Sequence, residues 1–238
     1  MKRRTHSLST LHVQRRTSVL VTAGPTREWL DPVRFLSNPS SGKMGYALAQ
    51  AACEAGAVVT LVSGPVTLAV PRGVELVRVE TAEEMAREVF RRAKRADVVI
   101  LSAAVADWTP VNRARQKLKK TEGGKQKAEF VLRLKATVDI AATIGKSLRQ
   151  GQVLVGFAAE TQRVEANARE KLERKNFDMI VANDVSLPGT GFGSDRNEII
   201  IIGRDGDVER PRRASKLTLA RRILKRACAM RADKLERS

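Results

Sequence analysis

The chain has 238 residues, 42% of them hydrophobic and 4% aromatic, with a formal net charge of +18. That length fits one large α/β domain or two small ones, and no apolar run approaches the ~18–20 residues that span a bilayer. Two cysteines exclude a disulfide framework, and two histidines confined to the first 17 residues exclude a hydrolase triad or a His/Cys metal site in the body.

Residues 1–17 hold five basic residues and no acidic one, and they read as a disordered basic leader without the apolar stretch of a secretory signal. Apolar runs then recur at 19–23, 58–62, 74–79, 98–102, 153–157 and 179–182. Helical patterns at 42–55, 82–94, 139–148 and 162–175 lie between most of them. Continuous apolar strands alternating with helices indicate a parallel sheet covered on both faces. Two segments break the rhythm. Residues 126–135 alternate like a half-exposed antiparallel strand, and 198–210 read as a hairpin turning at Asp205-Gly206-Asp207. A last helix is expected over 214–230, with 231–238 frayed. The expectation is one domain over 18–230, a Rossmann-like α/β core with an antiparallel excursion. Cys53 and Cys228 fall on separate helices and read as free thiols in a reducing cytoplasm.

The charge is localised. Residues 111–135 hold nine basic and two acidic residues, and 203–238 hold twelve and five, so outside these and the leader the chain is nearly balanced. Terminal runs of this kind are commonly solvated; the internal run is short, broken by glycines and follows a strand end.

Four polar segments fall at the carboxyl ends of strands, where open α/β sheets bind ligands. The first is the loop TAGPTREWLDPVRFLSNPSSGKMG, residues 22–45, with Arg27, Arg34, Asn38, Ser40, Ser41 and Lys43 ahead of a helix start. It is neither a P-loop nor a Gly-x-Gly-x-x-Gly turn. It suits an anion at a helix N-terminus, against the plainer possibility that Ser41 only caps the helix. The second is Ala103-Ala104-Val105-Ala106-Asp107-Trp108, where small residues admit a flat base or sugar and Asp107 can accept a ribose hydroxyl or cap its own turn. The third, Gln116-Lys117-Leu118-Lys119-Lys120 before Gly123-Gly124, reads as a basic flap over a polyphosphate or as a solvated charge run. The fourth joins Gly156-Phe157, Glu160 and a helix carrying Lys171 and Lys175 to Asn183-Asp184. The two lysines share one helix face, which could meet a triphosphate or simply face solvent among Glu170, Glu173 and Arg174.

Taken together, the loop at 22–45, LVSGPV, AAVADW, KLKK, VGFAAET and KNFDMIVANDVS with GTGFGSDRNEI strongly resemble the phosphopantothenate–cysteine ligases, or phosphopantothenoylcysteine synthetases, of the bacterial coenzyme A pathway. The matches run in order from about residue 19 to 202. The resemblance implies a three-layer Rossmann-like sandwich, a homodimer and a two-step reaction. The carboxylate of 4′-phosphopantothenate attacks the α-phosphate of CTP; the cysteine amine then displaces CMP from the acyl-cytidylate. It also implies Mg²⁺ carried by the phosphates. By matched position, Lys117 would neutralise the triphosphate and Asn38 would hold the acyl-cytidylate. Arg34, Ser41 and Lys43 would lie toward the substrate, and Ala103, Asp107, Asp139, Ile140, Phe157, Lys171 and Lys175 would bind the nucleotide. Pro25 stands where the family usually has a second glycine, and Val138 where a proline usually precedes the aspartate. In many bacteria a flavin-dependent decarboxylase precedes this domain; with 17 residues before the first strand, a separate decarboxylase chain is expected.

Two other classes compete. An NAD(P)-dependent oxidoreductase on a Rossmann-like sheet would ordinarily show Gly-x-Gly-x-x-Gly after the first strand. A nucleic-acid binder would fit the basic segments, but 4% aromatic content offers few stacking platforms. The resemblance implies small-molecule substrates and a second copy of the chain as partners, and neither nucleic acid nor membrane is expected.

Overall fold

The six apolar runs form six parallel strands of one sheet in the computed structural model, which describes residues 16–122, 125–126, 129–186 and 193–237. They are β1 (Ser18–Ala23), β2 (Val58–Ser63), β3 (Val74–Arg78), β4 (Val98–Leu101), β5 (Val153–Glu160) and β6 (Met179–Asp184). Two antiparallel strands, β7 (Ile200–Gly203) and β8 (Val208–Glu209), extend the edge beyond β6. The eight-stranded order is β3-β2-β1-β4-β5-β6-β7-β8. The strands are apolar at successive positions because helices cover both faces. Val19, Val21 and Ala23 of β1 pack toward α1 (Lys43–Glu54) and α5 (Lys216–Glu236). Leu20 packs toward α2 (Ala82–Ala93), α3 (Ile140–Gly145) and α4 (Val164–Arg174). This is the three-layer Rossmann-like arrangement, and the hairpin through Asp205-Gly206-Asp207 forms as expected, with Gly206 at φ 89°.

Close approach decides where α1 sits. A Cβ on Gly45 would stand 2.4 Å from the Ala23 Cβ and 2.9 Å from the Ser102 hydroxyl, so only glycine lets the first turn of α1 rest on the ends of β1 and β4.

Two expectations are corrected. The last helix does not end at 230 with a frayed tail; α5 runs to Glu236. Its final turns find buried acceptors: Arg231 meets Asp97 at 3.2 Å, and Lys234 meets Asp178 at 2.7 Å and the Gln152 carbonyl at 2.8 Å. Those aspartates also accept from the backbone N–H of Ser18 and Leu154, so the tail is bound into the amino edge of the sheet. The alternating segment 126–135 is likewise not one strand. Among the described residues, Leu134–Ala136 pairs with Trp108–Pro110, while Lys125–Gln126 pairs with Thr121–Glu122. Alternation fixes a strand where a core covers one face; here Phe130 and Val131 are 62% and 84% exposed. The leader at 1–15 lies outside the described residues. Among the described residues no helix is long and apolar enough to cross a membrane.

Candidate functional site

The strand order reverses between β1 and β4, and ligands of doubly wound sheets bind outside the carboxyl ends at such a point. A cleft of about 730 Å³ opens there.

The first loop shapes one wall. Gly24 takes the left-handed conformation at φ 73°, and Pro25 then bridges to Ala104. The chain folds into a small ribbon of Arg27–Trp29 against Phe35–Ser37, closed by the Ser37 hydroxyl donating to the Thr26 carbonyl at 2.7 Å. That return delivers Asn38 to the cleft. Its Nδ2 donates to the carbonyls of Ala104 and Val105, each at 3.2 Å, which fixes the amide's orientation.

The same loop ends at α1. The residue capping this helix is Gly42 in the left-handed conformation, φ 75°, with no side-chain cap, so Ser41 is not the capping residue. Ser41, Gly42 and Lys43 line the cleft instead. The Lys43 ammonium donates to Asp195 at 2.6 Å and to the Gly193 carbonyl at 2.9 Å. That contact holds the Asp195 carboxyl below its usual range. Lys216, the first residue of α5, lines the cleft beside Lys43 and is buried, 7% exposed. Burial lowers its ammonium, Lys43 pushes the same way, and Asp195 opposes both. Sequence reasoning missed Lys216; the available signal was a lysine directly after the Ser215 cap, where helix starts favour acids.

The opposite end holds the expected nucleotide-side residues. Ala103, Asp107, Asp139, Ile140, Phe157, Lys171 and Lys175 all line the cleft. Asp139 caps α3, accepting from the Ala142 N–H at 2.9 Å, so α3 starts without the family's usual proline at 138. Its carboxylate also pairs with Lys175. Lys171 donates to the Phe157 carbonyl at 3.2 Å. Burial lowers the Lys171 ammonium from the ordinary lysine value, Glu160 and Asp107 pull it back up, and Arg174 adds to the lowering. Lys175 is lowered by burial and raised by Asp107. The two lysines therefore face the cleft, while Arg174 pairs with Glu170 on the solvent side.

Two expected residues do not line it. Arg34 forks onto the buried Asp31, its Nε at 3.0 Å and Nη2 at 2.6 Å from Oδ2. Lys117 is exposed on the segment after the Trp108–Pro110 strand.

A doubly wound sheet with a cleft at its switch point, lined by Lys43 and Lys216 from one helical layer, by Lys171 and Lys175 from the other and by a fixed amide, is a Rossmann-like arrangement that lacks the dinucleotide turn. The chain belongs to the DNA/pantothenate metabolism flavoprotein C-terminal domain family, which it matches over residues 14–230. It is 48% identical over 221 residues to the coenzyme A biosynthesis bifunctional protein CoaBC of Bacillus subtilis, covering 92% of this chain and 53% of that protein. It is 47% identical over 196 residues to CoaBC of Escherichia coli K12, covering 82% and 47%. The chain thus spans about half the length of the curated relatives it matches. A crystal structure of the C-terminal domain of CoaBC superposes with a TM-score of 0.76 at 42% identity, over 91% of this chain and 96% of that one. The structure of the Cab2 mutant H337A in complex with phosphopantothenate-cysteine shares the fold at a TM-score of 0.74 and 17% identity, over 93% of this chain and 88% of that one.

Proposed function

We propose that the cleft joins 4′-phosphopantothenate to L-cysteine at the expense of CTP, as a step of coenzyme A biosynthesis in the cytoplasm. The observation that carries this reading is the convergence in one cleft of Asn38, the Lys43–Lys216 pair and the Asp107, Asp139, Phe157, Lys171 and Lys175 group. In the first half-reaction a carboxylate oxygen forms a bond to the α-phosphorus and the bond to pyrophosphate breaks. In the second the amine forms a bond to the acyl carbon, CMP leaves with the bonding pair, and the amine's proton passes to solvent. Neither half needs a histidine; both need anions positioned and developing charge neutralised.

The roles are those of the matched motifs. Phe157 and the small residues from Ala103 receive the base and sugar, Asp107 accepts from the ribose, and Lys171 and Lys175 meet the phosphates. Lys171 and Lys175 are both held below the ordinary lysine value by burial, and an arriving polyanion favours their charged forms. Asn38, locked on the Ala104 and Val105 carbonyls, holds the acyl-cytidylate beside those small residues. Ser41 and Lys43 lie toward the acid substrate. Mg²⁺ enters as the counter-ion of the triphosphate. Lys117 supplies charge to the departing pyrophosphate from outside the cleft wall. A second copy of the chain covers exposed apolar side chains at Trp108, Phe130 and Val131, which are 55%, 62% and 84% exposed. An NADPH-dependent activity is disfavoured because the turn after β1 reads Gly24-Pro25-Thr26.

The test is to incubate the protein with phosphopantothenate, cysteine, Mg²⁺ and each nucleoside triphosphate in turn and to weigh the products. The amide with CMP and pyrophosphate is expected from CTP. Amide formed equally from ATP would remove the cytidylate assignment, and no amide at all would remove the ligase reading.

A further inference from the structure

The lysine string begins on a segment that is docked, at its near end, onto the 27–37 ribbon. The Arg113 guanidinium lies over the Trp29 ring, 5.5 Å from its centroid. The Ala114 N–H donates to the Leu30 carbonyl at 2.9 Å. Leu118 is then held at both backbone groups: its N–H donates to Asp31 Oδ2 at 3.1 Å, and its carbonyl accepts from Arg34 Nη2 at 2.7 Å. Asp31 is fully buried and also accepts from the backbone N–H groups of Val33 at 2.8 Å and Arg34 at 2.9 Å. One guanidinium and one carboxylate therefore tie the ribbon to the residue immediately after Lys117.

The geometry is specific in two ways. A buried carboxylate is costly unless its lone pairs are taken, and here both oxygens are occupied by the pair and its neighbours. The guanidinium is planar and forked, so it can grip Asp31 through two nitrogens and still present Nη2 to the Leu118 carbonyl; a lysine cannot do all three. The Phe35–Ser37 strand leads directly from Arg34 to Asn38, so one loop bears both the cleft amide and the anchor of the Lys117 segment.

We propose that Asp31 and Arg34 are a positioning pair for Lys117, fixing where its ammonium can act in the nucleotidyl-transfer step, and that Arg34 is not itself a ligand of the substrate phosphate. This rests on the ligase reading for what Lys117 does, while the docking itself rests only on the contacts above.

Arg34 is 47% exposed, so Arg34→Ala and Arg34→Lys should fold, which a melting curve verifies. Trypsin cutting after Lys117, Lys119 and Lys120, followed by mass spectrometry, reads the docking directly. About a tenfold faster cleavage is expected for Arg34→Ala, with Arg34→Lys between it and the native protein. Pyrophosphate release should fall by ~10–100-fold in Arg34→Ala with the KM for phosphopantothenate nearly unchanged, and partly recover in Arg34→Lys. Cleavage at the native rate overturns the proposal whatever the catalytic result. A raised phosphopantothenate KM at native kcat also overturns it and makes Arg34 a substrate ligand. If the native protein releases no pyrophosphate with any nucleotide, the ligase reading and the catalytic half of the proposal fall together, and the cleavage pattern still decides whether the pair holds the segment.

Discussion

α1 and α2 are both twelve residues long and both begin at the carboxyl edge of the same sheet, yet they start in opposite ways. α2 has a complete capping box: the Thr81 hydroxyl accepts from the Glu84 N–H, and the Glu84 side chain accepts from the Thr81 N–H. Glu83 and Glu84 sit in its first turn and Arg91 and Arg92 in its last, matching the helix dipole at both ends. α1 starts from a left-handed glycine with no side-chain cap, no acid in its first turn and Lys43 as its first residue. α5 repeats the lysine start with Lys216, again without an acid in the first turn. A cation at the positive end of a helix is unfavourable by about 0.3–1 kcal/mol. Two neighbouring helices accept that cost where they meet the cleft; α2, which lends the cleft Met85 alone, does not. The lysine starts belong to the α1–α5 side of the cleft; α3 also begins at the cleft and keeps a regular Asp139 cap.

Substitutions can break or sharpen this contrast. The largest effect is expected outside both helix starts, at Lys117→Gln, which should abolish pyrophosphate release, a loss of at least ~10²–10³ in rate; native turnover would remove its role. Asn38→Asp should slow the cysteine step more than cytidylate formation, and isotope exchange showing equal loss in both would remove that assignment. At α1, Lys43→Gln should lower turnover by ~10–100-fold while the melting temperature stays nearly constant, because an unfavourable dipole contact offsets the lost Asp195 pair. If stability collapsed with activity, the lysine start would be structural. At α2 the opposite is expected: Thr81→Ala should cost about 1 kcal/mol and leave kcat unchanged. The smallest effect is a pH dependence. Lys171 titrates below the ordinary lysine value near ~10.4, so calorimetry should show CTP affinity falling as pH rises through that lowered value. The free protein should gain stability over the same window, because the unfolded chain holds that proton more tightly. Lys171→Arg should move the decline in affinity upward in pH; an unmoved decline would place the titrating group elsewhere.

The parts legible in the sequence are those set by continuous apolar pattern. Val19–Ala23 or Val98–Leu101 can only be strands covered on both sides, and the polar residues following them can only gather at one edge. That logic reached Asn38, Asp107, Phe157, Lys171 and Lys175. It failed where a partner lies far along the chain or in the same few residues. Nothing near Arg231 or Lys234 announces Asp97 and Asp178, so the last turns of α5 read as a frayed tail. Arg34 offers the reverse lesson. A ligand-facing arginine and one forked on Asp31 have the same composition, and only the i,i+3 spacing hinted at the second. Phe130 and Val131 alternate as a strand would, but without a covering layer the pattern has no register to enforce.

α5 connects two places that otherwise have little in common. Its first residue borders the cleft, and Lys234 near its other end is bolted to the far rim of the sheet. Twenty-one residues at 1.5 Å each make a rigid rod of roughly 30 Å across the whole thickness of the domain. Loosening Asp178 or Asp97 would then let the rod pivot, and a lesion at the bottom of the molecule would register as a misplaced ammonium at the top.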